Sequence, residues 1–374
     1  MFLFAMSDTK FRVAFTLVRG IGAVRLQSLL DYFGDAESAW NAAPSELARA
    51  GLSQKLAERV SETRATLNLE QYIENIQAQG IQILTWDDPQ YPAQLKQIDQ
   101  PPPILYLRGP FSEEDAWSVA IVGTRAVTAY GRQVTEEVAG SLAHNGVTVV
   151  SGLARGVDAI AHSAALKAGG RTLAVLGSGV DRIYPPEHCA LAEKIIAQGS
   201  VLSDYAPGTP PESANFPPRN RIISGLSLAV VVIEAAETSG SLITASFALE
   251  QGRDVFAVPG NIFAPQSKGC NRLIANGAKP LLAVKDILDA LDLTRNLERR
   301  EIRKVLPSDP TEAAIFQLVG PEPLHVDEIR ARTGLPIDRV SATLTMMELK
   351  GMVRQVGGMQ YVAVREAPAP YDAS

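Results

Sequence analysis

The sequence predicts an α/β protein built on an extended Rossmann-like, doubly wound and mainly parallel sheet. Between residues 118 and 260, short continuous runs of Val, Ile, Leu and Ala alternate with helical stretches, as in a parallel sheet that is covered on both faces. Several of these strands end in Gly-rich turns that feed a helix, where α/β sheets place anion-binding amides. Glycines also stand where helices should stop, at Gly146, Gly169, Gly199, Gly252 and Gly277. The predicted strands are 118–122, 147–150, 172–176, 200–203, 228–233 and 254–258, and the helices lie near 129–144, 157–168, 188–198, 240–250 and 270–276.

Residues 1–80 predict a small helical domain of the SAM or helix-hairpin-helix kind. Leu17-Val-Arg-Gly-Ile-Gly22 precedes an amphipathic segment, 23–32, and a Gly-x-Gly hairpin can present backbone amides to a phosphate. A plain helical packing module is the alternative, and the acidic balance of this region favours it. Residues 81–290 form the predicted Rossmann-like domain, in which strands at 81–85 and 103–108 extend the edge of the main sheet.

The C-terminal part predicts a winged-helix domain. Residues 291–307 are highly charged, lack a core pattern and are predicted to be a linker. In 308–366, three helical segments precede a β-ribbon that turns at Gly357-Gly358, which is the layout of a winged helix-turn-helix. Residues 367–374 are a predicted loose tail.

Composition restricts the class of protein. With 374 residues, 46% hydrophobic and 20% charged, the chain is typical of a multidomain globular protein. Two cysteines without metal-ligand spacing, and no apolar run long enough for a membrane, predict a cytoplasmic protein with no metal and no membrane contact. The net charge is −6, but residues 118–290 carry 14 basic and 14 acidic residues. A phosphate site must therefore arise from local clustering rather than from a general positive field.

Two Gly-rich turns predict phosphate contacts. Gly123-Thr-Arg125 follows a strand, so its amides and Thr124 hydroxyl can donate while Arg125 binds bidentately. Ser151, Gly152 and Arg155 repeat this arrangement after the next strand, where Asp158 is expected to cap a helix or orient an arginine. A tight turn with Arg125 in a surface ion pair is the alternative. Neither a dinucleotide fingerprint nor a P-loop is complete, which argues against NAD binding and ATP hydrolysis.

The segment Phe216-Pro-Pro-Arg-Asn-Arg221 is the most informative one. An aromatic ring beside Arg219, Asn220 and Arg221 offers stacking together with charge, the combination that holds single-stranded nucleic acid. The alternative is that Phe216 belongs to the core and the prolines only start a helix. Downstream, the stretch Thr238-Ser-Gly-Ser-Leu-Ile-Thr244 opens another helix with four hydroxyls and is a candidate phosphate cradle, with Ser239, Gly240 and Ser241 as its predicted site residues. Lys268 adds a cation.

These motifs, in this order, closely resemble the DNA-processing protein A family (DprA/Smf). The matching motifs are Val122-Gly-Thr-Arg125, Ser151-Gly-Leu-Ala-Arg-Gly-Val-Asp158, Gly177-Ser-Gly-Val-Asp181, Phe216-Pro-Pro-Arg-Asn-Arg-Ile-Ile-Ser-Gly-Leu-Ser227, the segment from Glu234 through Ser239-Gly-Ser-Leu-Ile-Thr-Ala245, and Val255-Phe-Ala-Val-Pro-Gly260. The helical and winged domains that flank them fit the same family.

The resemblance implies a bacterial cytoplasmic protein that binds and protects incoming single-stranded DNA during natural transformation. It also implies loading of RecA recombinase, a homodimer formed through the Rossmann-like domain, no cofactor and no catalysis. By the same resemblance, Gly123, Thr124 and Arg125 would meet phosphate, while Phe216, Arg219 and Arg221 would hold base and backbone. Ser239 to Ser241 and Lys268 would line the same pocket.

Two other functions stay open. A lysine-decarboxylase-like nucleotide phosphoribohydrolase also carries Gly-rich phosphate turns and a glutamate near a helix start, for which Glu234 or Glu237 could serve. Its Pro-Gly-Gly-x-Gly-Thr signature is missing, because Pro259-Gly260 runs into Asn261. A winged-helix transcription regulator is the other possibility. Against it, the expected recognition helix, 337–349, offers one basic residue, Arg339, beside two acidic ones.

Overall fold

A nine-stranded sheet lies at the centre of Met1–Leu291, one of the two compact units into which the chain divides. The computed structural model describes residues 2–291, 310–320, 323–349 and 352–363. The predicted tail and all of the predicted linker except Leu291 lie outside these residues. The strands are β1 (Gln82–Thr85), β2 (Ile104–Arg108), β3 (Ser118–Val122), β4 (Thr148–Ser151), β5 (Thr172–Val175), β6 (Ser200–Ser203), β7 (Ala229–Val232), β8 (Asp254–Ala257) and β9 (Lys279–Pro280).

The strand order is β1-β2-β6-β5-β4-β3-β7-β8-β9. From β6 to β9 every neighbouring pair is parallel, whereas β2 pairs antiparallel with both β1 and β6. Strands β3 to β7 are buried along their whole length, as their unbroken apolar runs predict. The doubly wound, mainly parallel fold and the position of β1 and β2 at its edge are therefore confirmed.

Helices cover both faces of the sheet and follow the strands in alternation. In this part of the chain, strand β9 and the helices at Ala93–Lys96 and Val284–Ala290 were not among the sequence predictions, and a helix that begins at Phe216 was only the alternative interpretation of that segment. The helices of this part are α7 (Ala93–Lys96), α8 (Ala129–His144), α9 (Val157–Lys167), α10 (Cys189–Gln198), α11 (Phe216–Gly225), α12 (Ser241–Glu250), α13 (Lys268–Ala275) and α14 (Val284–Ala290).

The N-terminal helices pack around a core of their own and also against the sheet. The edge-on contact of Phe15 with Trp40, 5.0 Å between ring centroids, lies in that core. Val13 and Ile76 instead pack with Tyr106 of β2, so the helices and the sheet belong to one unit. The boundary at residue 80 stays a prediction. The helices are α1 (Phe2–Leu17), α2 (Ala23–Phe33), α3 (Ala36–Asn41), α4 (Pro44–Arg49), α5 (Gln54–Thr66) and α6 (Leu69–Ala78).

The second unit contains the predicted winged helix. Its described elements are α15 (Pro310–Leu318), β10 (Leu324–His325), α16 (Val326–Thr333), α17 (Ile337–Leu349), β11 (Val353–Gly357) and β12 (Gln360–Ala363). The strands form a small sheet in the order β10-β12-β11, and Val340, Leu344 and Met347 of α17 are fully buried in the core of this unit. Across both units, the described helices include none that is both long and apolar enough to cross a bilayer.

Candidate nucleic-acid interface

The order in which the chain adds strands to the sheet reverses between β3 and β7. The chain passes from β3 through β4 and β5 to β6 on one side, and then returns to place β7 on the other side of β3. In open α/β sheets, ligands bind outside the carboxyl ends of the strands at such a switch point. Here those ends are Val122 of β3 and Val232 of β7. The Gly123 turn follows Val122 directly, and Glu234 stands two residues after Val232.

Glu234 holds the first turn in place. The amide of Thr124 donates to the carbonyl oxygen of Glu234 at 2.7 Å. The Glu234 carboxylate accepts the amide of Thr128 at 2.9 Å and its hydroxyl at 2.5 Å. Since Glu234 is 3% exposed, these bonds form away from water. The turn is thereby fixed at both ends, and Arg125 between them is exposed.

The second turn packs onto the first. The amide of Val157 donates to the carbonyl of Thr124 at 3.2 Å. Gly156 has φ +77, and a Cβ at this position would overlap the Thr124 carbonyl. The buried carboxylate of Asp158 accepts the amides of Gly152 at 3.1 Å and Ala154 at 3.3 Å. Asp158 therefore orders the turn, and the charge of its carboxylate is engaged by these two amides.

Arg219 lies beneath these turns as a buried cation. Only 4% of the residue is exposed, its Nη1 donates to the carbonyl of Val175, and its Nε has no hydrogen-bond partner among the described residues. Burial lowers the pKa of Arg219 to about 10, although the charge of nearby Asp158 opposes the shift. Burial in turn raises the pKa of Asp158, opposed by Arg219. Arg219 still carries its positive charge at neutral pH.

The ring of Phe216, at the start of α11, lies close to two guanidinium groups. The Cζ atoms of Arg125 and Arg219 are 5.8 Å and 5.9 Å from its centroid, within the range of cation–π contacts. Tyr184 lies 5.8 Å away, centroid to centroid. Below the ring is Gly177, where a Cβ would come within 2.9 Å of it. Phe216 is half-buried, so one part of the ring is held and another part faces solvent.

The opposite wall is the N-terminus of α12. The hydroxyls of Ser239 and Ser241 are 2.8 Å apart, and the side-chain amide of Asn220 donates to the carbonyl of Gly240 at 3.4 Å. Together the two walls enclose a groove of about 700 Å³, which we call the rim groove. Most of the predicted site residues line it: Gly123, Thr124, Arg125, Phe216, Arg219, Asn220, Ser239, Gly240 and Ser241.

A narrow side pocket adjoins the rim groove. It is lined by Gly152 and Arg155 together with Arg125, Phe216 and Arg219, which also line the rim groove. Nε of Arg155 lies 2.5 Å from Oε1 of Glu187, and both side chains are about half exposed. Arg155 therefore reaches the predicted site, but it does so as part of an ion pair.

Three predicted residues lie outside both cavities. Ser151 is fully buried and its hydroxyl donates to the carbonyl of Ile121 on the neighbouring strand at 2.6 Å. Nη2 of Arg221 lies 2.8 Å from the largely buried carboxylate of Asp204. Lys268 is exposed at the first position of α13 and does not line the groove. The expected shared pocket thus forms without these three residues.

The structure adds residues that sequence reasoning missed. Tyr184 lines both cavities, and Thr238 and Thr244 line the rim groove. Tyr184 follows the Gly-rich motif Gly177-Ser-Gly-Val-Asp181 and precedes a proline, and an aromatic residue beside such a motif was the available signal. Thr238 belongs to the hydroxyl-rich stretch noted before α12. Thr244 is the last residue of the same stretch.

Comparison with known proteins agrees with this architecture. The family model described as DNA recombination-mediator protein A matches residues 82–292, and the DprA winged helix domain matches 303–359. Protein Smf from Synechocystis sp. is 40% identical over 96% of this chain and 99% of its own length. The X-ray structure of DprA from Streptococcus pneumoniae superposes with TM-score 0.66 at 34% identity, covering 75% of this chain and 97% of its own. A structure concerned with single-stranded DNA binding by DprA from Helicobacter pylori has TM-score 0.51 at 32% identity, covering 56% and 95%.

Proposed function

The chain belongs to the DNA recombination-mediator protein A family (DprA/Smf), and we propose that it binds single-stranded DNA in the rim groove. One observation carries the proposal: Phe216 presents part of its ring to the groove while the guanidiniums of Arg125 and Arg219 lie against it. Base stacking on an aromatic ring, with cations beside it for the backbone, is how proteins hold unpaired strands without reading their sequence.

Each wall of the rim groove has a part in this proposal. The exposed Arg125 binds a phosphate, while the buried Arg219 supports the ring and supplies positive charge from below. On the opposite side, Ser239 and Ser241 stand at the N-terminus of α12, where backbone amides and the helix dipole favour an anion. The site can therefore bind phosphates on both sides of a stacked base.

The same geometry predicts a preference for single strands. A base can lie on Phe216 only when it has left its own stack, because in a duplex both of its faces are covered by neighbouring bases. A duplex could place phosphates against Arg125 but no base against the ring. We therefore expect duplex binding to keep the ionic component and to lose the stacking component, about 1–3 kcal/mol per base.

The proposal extends to the fate of the bound strand. As a recombination mediator, the protein protects the incoming strand in the cytoplasm during natural transformation and loads RecA recombinase on it. It acts as a homodimer through its Rossmann-like domain. The family description supports the mediator role, and the open rim groove leaves the strand accessible from solvent.

We propose that no bond is broken in this site. The phosphoribohydrolase alternative requires a free carboxylate near the groove, and Glu234 is buried and hydrogen-bonded to Thr128. Glu237 is exposed but does not line the groove. Neither glutamate is therefore positioned to act as the catalytic base that the phosphoribohydrolase alternative needs.

Fluorescence anisotropy with labelled oligonucleotides tests the proposal. Wild-type protein should bind a single strand of about 20 nucleotides at least tenfold more tightly than the matching duplex. Phe216→Ala should remove most of that preference, whereas Tyr32→Ala, which truncates an exposed aromatic residue on α2, should not. Equal affinity of wild type for both forms would contradict the stacking site.

RecA filament formation on a strand covered by single-strand-binding protein, with and without this protein, tests the loading step.

A further inference from the structure

A second groove runs between α8 and α9, beside the predicted site. It has a volume of about 700 Å³ and begins at Gly156, the residue that precedes α9. Its sides carry Arg132 and Glu136 from α8, Lys167 from the last turn of α9, and His188. None of these residues was assigned a role by the sequence motifs. We call it the α8–α9 groove.

Small side chains keep this groove open. Its floor is made by Ala159, Ser163 and Ala164 of α9, and the Ser163 hydroxyl donates back to the Ala159 carbonyl at 2.7 Å. Because the lining runs along α9 from Gly156 to Ala168 and a helix rises about 1.5 Å per residue, the groove extends for roughly 18 Å. The groove is long enough for several nucleotides, and no Phe, Tyr or Trp is among its lining residues.

The charges along the α8–α9 groove are mainly positive. Arg132 is 57% exposed, and its nearest carboxylate, that of Glu136, lies 4.0 Å away on the same helix. An exposed ion pair at this distance contributes little to stability and breaks readily. Lys167 is exposed, and the Nδ1 of His188 is bonded to the Leu153 carbonyl at 2.8 Å. Arg132 and Lys167 are thus available for an anion, with Glu136 the carboxylate among the lining residues.

The α8–α9 groove continues the path of the rim groove. The side pocket shares Arg125, Phe216 and Arg219 with the rim groove, and it also contains Arg155. The next residue, Gly156, lines the α8–α9 groove. On the other side of the path, Glu187 pairs with Arg155 and its neighbour His188 lines the α8–α9 groove. Three cavities therefore follow one another along the surface, with the Arg155–Glu187 pair at the crossing.

We propose that the α8–α9 groove is a second nucleic-acid binding site, which holds the backbone of a single strand after it leaves the rim groove and crosses Arg155. Arg132 and Lys167 bind phosphates there, and because no Phe, Tyr or Trp lines the groove, its contacts are mainly with the backbone of the strand. The proposal rests on the proposed function. It adds the direction of the strand, from the carboxyl ends of the sheet down along α9.

Oligonucleotide length separates the two sites. A strand of about 6 nucleotides fills the rim groove alone, whereas one of about 20 nucleotides reaches both grooves. In the variant Arg132→Gln/Lys167→Gln, affinity for the short strand should stay unchanged. Affinity for the long strand should fall about five- to tenfold, and the slope of log K against log salt should decrease in magnitude by about 1.4, since each phosphate contact contributes about 0.7.

A charge-matched control distinguishes phosphate binding at this site from a general electrostatic effect of losing two positive charges. Arg49→Gln/Lys55→Gln also removes two exposed cations, from α4 and α5 of the N-terminal helices. This control should change neither affinity nor slope. If it weakens the long strand as much as Arg132→Gln/Lys167→Gln does, or if that variant binds both lengths as wild type does, the second site is refuted while the rim groove stands. If wild type binds neither length, both proposals are refuted together.

Cross-linking gives a positional test that does not depend on affinity. In a Cys189→Ser background, which removes the exposed native thiol, Ser163→Cys places a photoactivatable label on the floor of the α8–α9 groove. At saturation the label should cross-link the long strand and not the short one. Equal yields with the two lengths, or no cross-link with the long strand, would overturn the proposed path.

Discussion

Nη1 of Arg219 lies against the backbone of Gly152, so closely that a Cβ on Gly152 would overlap the guanidinium. Arg219 cannot easily move away, because it is 4% exposed and bonded to the Val175 carbonyl. The glycine of the second turn is therefore needed for close approach to the cation under Phe216 and not for a left-handed backbone. Gly140 on α8 offers the opposite case, since a Cβ there meets nothing within 4 Å.

Gly152→Ala should consequently lower both stability and single-strand affinity. Overpacking of this kind costs about 1–3 kcal/mol, and displacement of Arg219 removes support from the Phe216 ring. Gly140→Ala should instead stabilise the protein by about 0.5–1 kcal/mol, as expected for Gly to Ala in a helix. Urea unfolding and anisotropy measure the two effects. Unchanged stability of Gly152→Ala would mean that Arg219 repacks freely.

Phe216→Ala should weaken single-strand binding by about 1–3 kcal/mol, the contribution of stacking to one base, which corresponds to roughly 5- to 150-fold in Kd. Phe216→Trp keeps a flat ring beside Arg125 and Arg219 and should retain most of the affinity. The two variants separate loss of the ring from loss of the fold. If the Ala variant binds as wild type does, Phe216 serves only packing.

Arg125 and Arg221 should differ in salt dependence. Arg125→Ala removes an exposed guanidinium at the rim groove and should reduce the magnitude of the salt slope by about 0.7. Arg221→Ala breaks the ion pair with Asp204, whose two side chains are 19% and 14% exposed. Leaving that carboxylate unpaired should cost about 3–5 kcal/mol of stability without changing the slope. A slope for Arg125→Ala equal to that of wild type would show that this residue contacts no phosphate.

Arg221 also shows where prediction from the sequence reached its limit. Once a helix is known to begin at Phe216, the period of 3.6 residues puts Arg219 and Asn220 on either side of the direction of Phe216. Arg221 is about 140° away from that direction and meets Asp204 instead. Without the helix, the three polar residues look equivalent. The same holds for Ser151, whose hydroxyl is bonded to the adjacent strand.

The strands of the sheet were predictable for a simple reason. Buried parallel strands need continuous apolar residues, so β3, β6 and their neighbours appear within one or two residues of the predicted bounds. Pairings between distant residues leave no such pattern. Arg155 forms an ion pair with Glu187, which is 32 positions away. Glu234 accepts a hydrogen bond from Thr128, which is 106 positions away. Such contacts decide which of the predicted side chains are free to bind.

His162 should make stability depend on pH. It is fully buried, and its Nδ1 lies 2.7 Å from the Thr172 hydroxyl, which itself donates to the Val149 carbonyl. His162 Nδ1 must therefore carry the proton, while Nε2 has no partner among the described residues. Burial lowers the pKa of His162 from 6.5 to about 3.

Between those two pKa values, the unfolded chain binds a proton at His162 that the folded protein does not. Stability should therefore fall as the pH drops below about 6.5, with a slope from this group of up to about 1.4 kcal/mol per pH unit. His162→Leu removes this contribution. Chemical unfolding of both proteins between pH 7 and pH 4.5 should show a shallower slope for the variant, and parallel curves would contradict the assignment.

Glu234 provides the test between a binding protein and a hydrolase. If Glu234 only fixes the first turn, Glu234→Ala leaves the buried amide of Thr128 without an acceptor and should weaken single-strand binding by roughly 1–3 kcal/mol. Glu234→Gln retains one acceptor oxygen for that amide and should recover part of the affinity.

If Glu234 were a catalytic base, wild type would release adenine from AMP and the Gln variant would not. We expect no adenine from wild type, because the carboxylate is 3% exposed and already accepts two hydrogen bonds from Thr128. Adenine release that Glu234→Gln abolishes would favour the hydrolase.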